Sequence, residues 1–541
     1  MTNFLTRELL ESVADNGTVI VTVGNTGRRN FLENLIQSLR RAGCSSLVVG
    51  SVDANLTAWL TEREVPTFAI DLGRDAQDAD TSGNLEWRGR TYLKLMKAKV
   101  STILTGIRLG YSVLWTDSDV VWLRNPIPLL ARYPDHDVLA SSDHMYSAER
   151  TEKLEHHNNY YYQPNTGIAL YRPSAEHVVL GWLYCLSEGK DSDQPCLGRL
   201  LQRDLKPIES PEANAALYVA VQVLWAYYGS TIFGTLPINY FVGGQMWRCP
   251  EAKINRLRDD SLWLLDGADR YEHPVGFISY EPEIADSLLQ AAAAHVNLTE
   301  DEARQQRQKQ YGDAWDRAFL PDKIPHLNLV NNQLSQLRTQ IVLARELGGA
   351  AAILPYFMCG STKDSFRWDG RVEWSASAIP FRCPADYILD FRAIQKENPN
   401  GFRETSFLQR DEARTLNQTR LDITICKKGD TDCVDGEVPV DIPSGRATLR
   451  LLPGRTLKQL RTVLGPAIKE HKLLHFQGNM TELLVMSPPE VADQSKATQQ
   501  YMMASCCMHD DPAGSIRYDL FWDLPGHYSA RGEFIKGNKA Y

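Results

Sequence analysis

Between residues 18 and 116 the chain switches repeatedly between two incompatible hydrophobic periods, and this alternation limits the fold more than any other feature. Thr18–Val23 (TVIVTV) is a β-branched run that reads as a buried strand. Phe31, Leu32, Leu35, Ile36 and Leu39 then fall at helical spacing, with Gly43 as the C-cap. Leu47–Val49 and Thr67–Ile70 read as the second and third strands. Leu93, Met96, Val100, Ile103, Leu104 and Ile107 form an amphipathic stripe ended by Gly110, and Ser112–Trp115 follows as a fourth strand. Strands separated by helices pair in parallel, because a parallel neighbour is reached only by a crossover, so the sheet is covered on both faces. Ligands of such α/β sheets bind at the carboxyl ends of the strands.

A second α/β unit is expected further along. Residues 286–326 are charged and Gln-rich (EDEARQQRQKQYGDAWDRAF at the centre) and read as a helical linker between a unit at 1–285 and another at 327–541. Leu334, Leu337, Ile341 and Leu347 keep helical spacing, Gly348-Gly349 ends it, and Ala350–Leu354 is an apolar strand. No internal repeat is visible. A net charge of −9 and a pI near 5.8 argue against a nucleic-acid partner, which needs a Lys/Arg-rich face. The longest nearly apolar run, 217–228, is interrupted by Gln222 and falls short of the ~18 residues of a membrane span. Ten cysteines among 541 residues are too sparse for a disulfide scaffold; Cys426/Cys433 and Cys506-Cys507 are candidate bridges, and no spacing indicates zinc.

The polar cluster that fits the carboxyl-end rule is in YSVLWTDSDVVWLRNP, where Asp117 and Asp119 follow the fourth strand directly. An Asp-x-Asp pair alone says little, and the chain has others at Asp78/Asp80, Asp135/Asp137, Asp191/Asp193 and Asp430/Asp432, which read as solvated turns. Asp117 and Asp119 differ in being flanked by Val113, Leu114 and Trp115 on one side and Val120, Val121 and Trp122 on the other. Two acids in apolar surroundings repel each other and resist desolvation unless a cation lies between them. Oxygen-only ligands suit Mn²⁺ or Mg²⁺, and such ions usually carry a substrate phosphate as well.

These stretches resemble the nucleotide-diphospho-sugar transferases of glycosyltransferase family 77. The likeness rests on VIVTVGN (19–25), YLKLMKAKV (92–100), YSVLWTDSDVVWLRNP (111–126), DVLASSD (137–143), PNTGIALYRPS (164–174) and DSDQ (191–194). In the second half, LNLVNNQLSQLRTQIVLARELGGAAAILPYFMC (327–359), PFRCPADYILDF (380–391) and SIRYDLFWD (515–523) look most like plant extensin arabinosyltransferases. The resemblance implies a GT-A-type, Rossmann-like domain with a mainly parallel sheet, followed by a second α/β domain. It implies that Asp117 and Asp119 hold Mn²⁺ or Mg²⁺, which carries the diphosphate of a UDP-sugar. Thr22, Asn25, Lys99, Ser118 and Asn165 would lie on the donor side, and Asp193 and Gln194 at the anomeric carbon of a retaining reaction. On the residues alone, Lys99 reads as part of a solvated helix face, Asn165-Thr166-Gly167 as a plain turn, and Asp191/Asp193 as a loop acid pair. The acceptor would be a glycoprotein or oligosaccharide, and the compartment the Golgi lumen. That location is normally reached through an anchor not visible here, and a cytoplasmic location stays open. Five sequons, at Asn16, Asn55, Asn297, Asn417 and Asn479, lean slightly toward secretion.

The pattern departs from the family at one point. A histidine expected between FVGGQMW and KINRLRD, a further candidate metal ligand, is absent from residues 241–252, and His273 reads as a surface residue. Water or another group completes the metal site, a segment is missing, or turnover is weak or lost; all three stay open. The competing function is therefore a transferase-like domain that binds glycan or nucleotide-sugar without turnover. A two-carboxylate glycoside hydrolase ranks last, because Asp117 and Asp119 are placed to share an ion rather than to face each other across a sugar.

Overall fold

In a computed structural model of the chain, the described residues are 5–72, 90–142, 153–154, 164–189, 192–201, 233–235, 241–243, 250–294, 324–360, 378–427, 429, 433, 436–438, 447–498, 520–521, 527–528 and 534–535. The chain divides into two compact units, residues 1–246 and 247–541.

The first unit begins with helix α1 (Arg7–Val13) and strand β1 (Thr18–Gly24). Helix α2 (Arg29–Arg41), β2 (Leu47–Ser51), helix α3 (Ala54–Glu62) and β3 (Thr67–Ala69) follow. Helix α4 (Arg90–Arg108) leads into β4 (Ser112–Thr116) and β5 (Val120–Trp122). Beyond helix α5 (Ile127–Leu130) come β6 (Val138–Ser142), β7 (Pro164–Tyr171), α6 (Glu176–Ser187), α7 (Asp193–Leu201), β8 (Phe233–Thr235) and β9 (Phe241–Gly243). The expected strands and helices are all present. Gly43 and Gly110 end α2 and α4 with φ of +72° and +96°, a left-handed backbone that favours glycine.

The sheet order is β3-β2-β1-β4-β7-β6-β8. β1 pairs in parallel with both β2 and β4, as the crossovers require, whereas β7 is antiparallel to both β4 and β6. Leu32, Leu35, Ile36 and Leu39 of α2 pack on one face against Ile20, Val49 and Leu114. Val100, Ile103 and Ile107 of α4, with Trp182 of α6, cover the other against Val19, Val21 and Val113. Each fully buried side chain of this kind contributes about 1.5–3 kcal/mol.

The second unit carries its own sheet. The unit's strands are β10 (Phe277–Tyr280), β11 (Ala351–Ile353), β12 (Phe357–Cys359), β13 (Phe381–Cys383), β14 (Phe402–Arg403), β15 (Leu421–Ile425), β16 (Gly436–Val438), β17 (Thr448–Leu451) and β18 (Leu473–Gln477), of which β12 and β13 form a separate antiparallel pair. The order is β14-β11-β10-β18-β15-β17-β16, with every pair parallel except β16 and β17. The boundary therefore differs from the one expected at 285. β10 belongs to the second sheet, because its apolar run FISY finds partners only in β11 and β18. Of the expected linker, Asp286–Ala294 is helical, 295–323 lies outside the described residues, and Ile324–Glu346 is a helix.

That last helix has a polar seam. Gln340 Nε2 donates to the carbonyls of Ile278 (2.7 Å) and Ile353 (2.8 Å). Gln336 bonds both the N–H and the carbonyl of Glu283, and Gln333 does the same at Met358. These amides continue the hydrogen bonding of β10 and β11 into the loops that follow them. Disulfides join Cys185 to Cys196, Cys359 to Cys383, and Cys426 to Cys433. The first two pairs were not foreseen, Cys506-Cys507 lies outside the described residues, and Cys44 is a buried free thiol.

Candidate active site

The reversal of β7 builds the site. Because β7 runs antiparallel to β4, its first residues lie beside the last residues of β4, with Thr116 opposite Ile168. The ladder continues one step further, where Asp117 N–H donates to Gly167 O at 2.7 Å. Asn165-Thr166-Gly167 is therefore strand, not the plain turn its composition suggests, and all three residues are buried. Asn165 Oδ1 accepts from Gly167 N–H at 2.7 Å. A Cβ added at Gly167 would stand 2.8 Å from Asn165 Oδ1 and 2.9 Å from Asp117 Oδ2, so the glycine is needed for the carboxylate to lie there.

Asp117 sits in a densely surrounded recess with 47% of its side-chain surface still open. Its Oδ1 accepts from Trp115 Nε1–H at 2.8 Å and faces Lys99 Nζ at 3.7 Å. Removal from water raises its carboxyl above the usual range; Lys99 opposes this and the charge of Asp119 adds to it. The two aspartates are thus close enough to repel, as their spacing implied. Ser118 and Asp119 lie between β4 and β5, both partly exposed.

Lys99 is not on a solvated face. It is 1% exposed, and Nζ donates to Thr166 O at 2.7 Å and to Asp193 Oδ2 at 3.1 Å. Its ammonium also lies over the rings of Trp115 (5.1 Å) and Trp182 (5.8 Å). The helical period placed it on the stripe that packs α4 onto the sheet, and the paired acids make that burial tolerable.

Asp193 opens α7 and is equally enclosed. Its Oδ2 accepts from Thr166 Oγ1 at 2.7 Å as well as from Lys99, and its carbonyl accepts from Trp182 Nε1–H at 2.8 Å. Burial alone would push this carboxyl up, but Lys99, the Thr166 hydroxyl and the Gln194 N–H hold it below the usual range. It is not the loop acid its composition suggested, and Asp191 lies outside the described residues. Gln194, the next residue, is partly exposed.

Thr22 and Asn25, expected on the donor side, are both buried. Thr22 is fully buried within β1 with no hydrogen bond to its hydroxyl, and Asn25 Oδ1 accepts from Arg28 N–H at 3.1 Å, capping a short helix. His273 is in the second unit, where it accepts from Gly276 N–H and lies against Phe277. Residues 244–249, where the family histidine was sought, lie outside the described residues. Sequence reasoning missed Trp115, Thr166 and Trp182. The first two were legible as neighbours of the motifs, while nothing in the sequence near Trp182 pointed to Asp193.

Two carboxylates fit a hard cation: Asp117 Oδ2 rests in the Gly167 cradle, and Asp119 is its charged neighbour. Among the described residues no group of three or more His, Cys, Asp or Glu could hold a metal.

A nucleotide-diphospho-sugar transferase model matches residues 42–259. The arabinosyltransferase XEG113 of Arabidopsis thaliana is 27% identical over 556 residues, spanning 96% of this chain and 78% of its own. The arabinosyltransferase RRA1 of the same plant is 33% identical over 143 residues, 25% of this chain and 32% of its own. Among solved structures, mouse xyloside xylosyltransferase 1 in its apo form covers 42% of this chain and 98% of its own, with 11% identity and a TM-score of 0.25. Asp117, Asp119, Asn165, Asp193 and Gln194 all fall inside the segment that matches the nucleotide-diphospho-sugar transferases, and the chain is a nucleotide-sugar glycosyltransferase similar to the plant arabinosyltransferases of family 77.

Proposed function

We propose that the protein is a metal-dependent, retaining transferase that moves a sugar, arabinofuranose, from a UDP-sugar to a glycoprotein or glycan acceptor. The observation that carries this reading is the pair Asp117 and Asp119 at the carboxyl end of β4, set against Asn165–Gly167. Arabinofuranose as donor sugar is supported by the likeness to arabinosyltransferases over 96% of the chain.

When bound, Mn²⁺ or Mg²⁺ supplies positive charge at the diphosphate of the leaving UDP. The chain's own groups do the rest. Asp117 and Asp119 bind at the diphosphate end, with Trp115 Nε1 and Lys99 fixing the rotamer of Asp117. Lys99 and Thr166 hold Asp193, and Asp193 as the first residue of α7 fixes where Gln194 projects. The Gln194 carboxamide oxygen then stabilises positive charge at the anomeric carbon. The bond from that carbon to the phosphate oxygen breaks, the bond to the acceptor oxygen forms on the same face, and the acceptor proton passes to the departing phosphate oxygen. No strong side-chain base is required. The three disulfides support an oxidising compartment, in keeping with a Golgi lumen.

A second reading, a domain that binds nucleotide-sugar without turnover, rests on the sequence of residues 241–252, which has no histidine where the family resemblance leads one to expect it. Mn²⁺-dependent hydrolysis of UDP-arabinofuranose separates the two, with Asp117→Ala and Asp119→Ala as controls. Turnover lost in both variants supports the transferase. Metal-dependent UDP binding with no turnover supports the binding protein, and turnover indifferent to both substitutions removes the site.

A further inference from the structure

Helix α7 is too short to hold its own direction. It has nine residues, below the ~12–15 at which an isolated helix becomes stable, and Gly198 stands in its interior. Its buried residues are Asp193, Cys196, Leu197 and Gly198, so little apolar surface ties it down. α6 is the opposite case, because Val178, Val179, Trp182 and Leu186 all belong to the core beneath the first sheet.

The two helices are joined at two points with matching spacing. Trp182 Nε1–H donates to Asp193 O at 2.8 Å, and three residues further along each helix Cys185 is bonded to Cys196. A single contact would let α7 pivot about its first residue. Two contacts almost a helical turn apart fix the direction of its axis as well. Gln194 lies between those two points on α7. Lys99 and Thr166 also hold the Asp193 side chain, but they act at that one residue. The bridge joins positions only 11 apart, and cross-links of short loops restrict the unfolded chain least. Its larger effect is therefore on the native geometry of α7.

We propose that the Cys185–Cys196 disulfide, acting with Trp182, positions Gln194 for the transfer step; this rests on the transferase reading above. With both anchors in place, α6 transmits its own rigidity to the first turn of α7, and the Gln194 carboxamide keeps the direction needed at the anomeric carbon. Without the bridge, α7 is held at Asp193 alone. The Asp117 and Asp119 carboxylates are on another element, just beyond the end of β4, so binding of metal and nucleotide does not depend on the bridge.

The test uses the full chain and reads three quantities together: kcat for UDP-arabinofuranose hydrolysis, Kd for UDP with Mn²⁺, and amide hydrogen exchange. Cys185→Ser should lower kcat roughly 10- to 100-fold, as displacement of a positioned group does, while Kd for UDP stays within about twofold. Exchange should quicken at residues 194–201 and stay unchanged in β4. Should this variant fail to fold, wild type opened by dithiothreitol supplies the measurement, because Cys185 is only half-buried. There two electrons and two protons pass to the bridge, which becomes two thiols while the dithiol closes to its own disulfide. Loss of kcat should then track alkylation of Cys185, followed by mass spectrometry. Unchanged kcat in protein that lacks the bridge overturns the proposal, as does α7 exchange that ignores the bridge. A fall in kcat matched by an equal fall in the UDP-binding fraction also overturns it, since that is the mark of partial unfolding. Wild type that binds UDP without turnover removes the transferase reading, and quickened α7 exchange in the variant still supports the brace.

Discussion

Lys99 Nζ lies 3.1 Å from Asp193 Oδ2, with both side chains almost wholly removed from water and 94 positions apart in the chain. The same ammonium faces Asp117 Oδ1 at 3.7 Å. One cation on α4 therefore sets two acids, one at the end of β4 and one at the start of α7. An ammonium enclosed in this way satisfies its neighbours rather than the donor, so its effect on chemistry passes through their positions.

Removing that charge leaves Asp193 with the Thr166 hydroxyl and Gln194 N–H, and Asp117 with Trp115 Nε1–H, without the ammonium that lowers both carboxyls. Lys99→Met should destabilise the first unit by about 3–5 kcal/mol, the cost of breaking a buried pair from one side. Lys99→Met combined with Asp193→Asn should recover a substantial part of the loss, because the nearer and more deeply buried of the two acids is then neutral. Urea unfolding of the single and double variants measures the coupling. Strict additivity of the two changes would show that the pair does not act as a unit.

Gly167 tests the site with less disturbance to the core. An alanine Cβ would come 2.8 Å from Asn165 Oδ1 and 2.9 Å from Asp117 Oδ2, both tighter than real contacts allow. The β6–β7 ladder shifts register there, from Ala140 opposite Ala169 to Ser141 opposite Asn165, but Gly167 has no left-handed φ, so the strain falls first on the two side chains. Gly167→Ala should lower kcat/KM for UDP-sugar hydrolysis by roughly 10- to 100-fold, as sub-ångström displacement of positioning groups does. Thermal unfolding should move far less than in Lys99→Met, and a large drop in Tm with intact kcat/KM would contradict this assignment.

The elements of the first unit through β4, and in the second the helix before β11 and β11 itself, were readable because periodicity records which face is buried. The α2 and α4 stripes and the β-branched β1 carry that record over many residues. Asp117 and Asp119 were readable because acids are costly in apolar runs. Two things were not. Lys99 has an ordinary helical position, and only tertiary pairing with residues 67 and 94 positions away reveals that it is buried. The unit boundary was misplaced because β10 is four residues long, with its partners 74 and 196 positions away, and no local pattern tells which sheet such a strand will join.

Gln340 offers a prediction for the second unit. Its side-chain N–H groups serve two strand carbonyls, Ile278 O and Ile353 O, at 2.7 and 2.8 Å. Gln340→Met keeps much of the volume and leaves both carbonyls without this donor in a buried place. The expected loss is about 1–3 kcal/mol by denaturant titration. Hydrogen exchange should speed up in residues 277–280 and 351–353 before the rest of the unit, and uniform acceleration would argue against a local role.

Asp259 gives the unit a pH dependence of definite sign. It ends the helix Pro250–Asp259, its Oδ1 accepts from Ser406 N–H at 3.3 Å, and burial raises its carboxyl to about 7 even though these hydrogen bonds favour the charged form. In the unfolded chain the same group titrates near ~3.9. Between roughly pH 4 and pH 7 the folded state therefore keeps a proton that the unfolded state has lost, and stability falls as pH rises through that window. The contribution is fully present below about pH 4, is lost by about pH 7, and is flat above. Because the side chain is partly accessible, the loss should be on the order of 2 kcal/mol rather than the full value of a shift this large. Asp259→Asn should remove this slope while keeping the hydrogen bond to Ser406. Urea unfolding of the second-unit transition at pH 4, 5.5, 7 and 8 would show the wild type falling relative to the variant over the first three points and running parallel thereafter. Parallel profiles at every pH would mean that Asp259 is ionised in the folded state throughout.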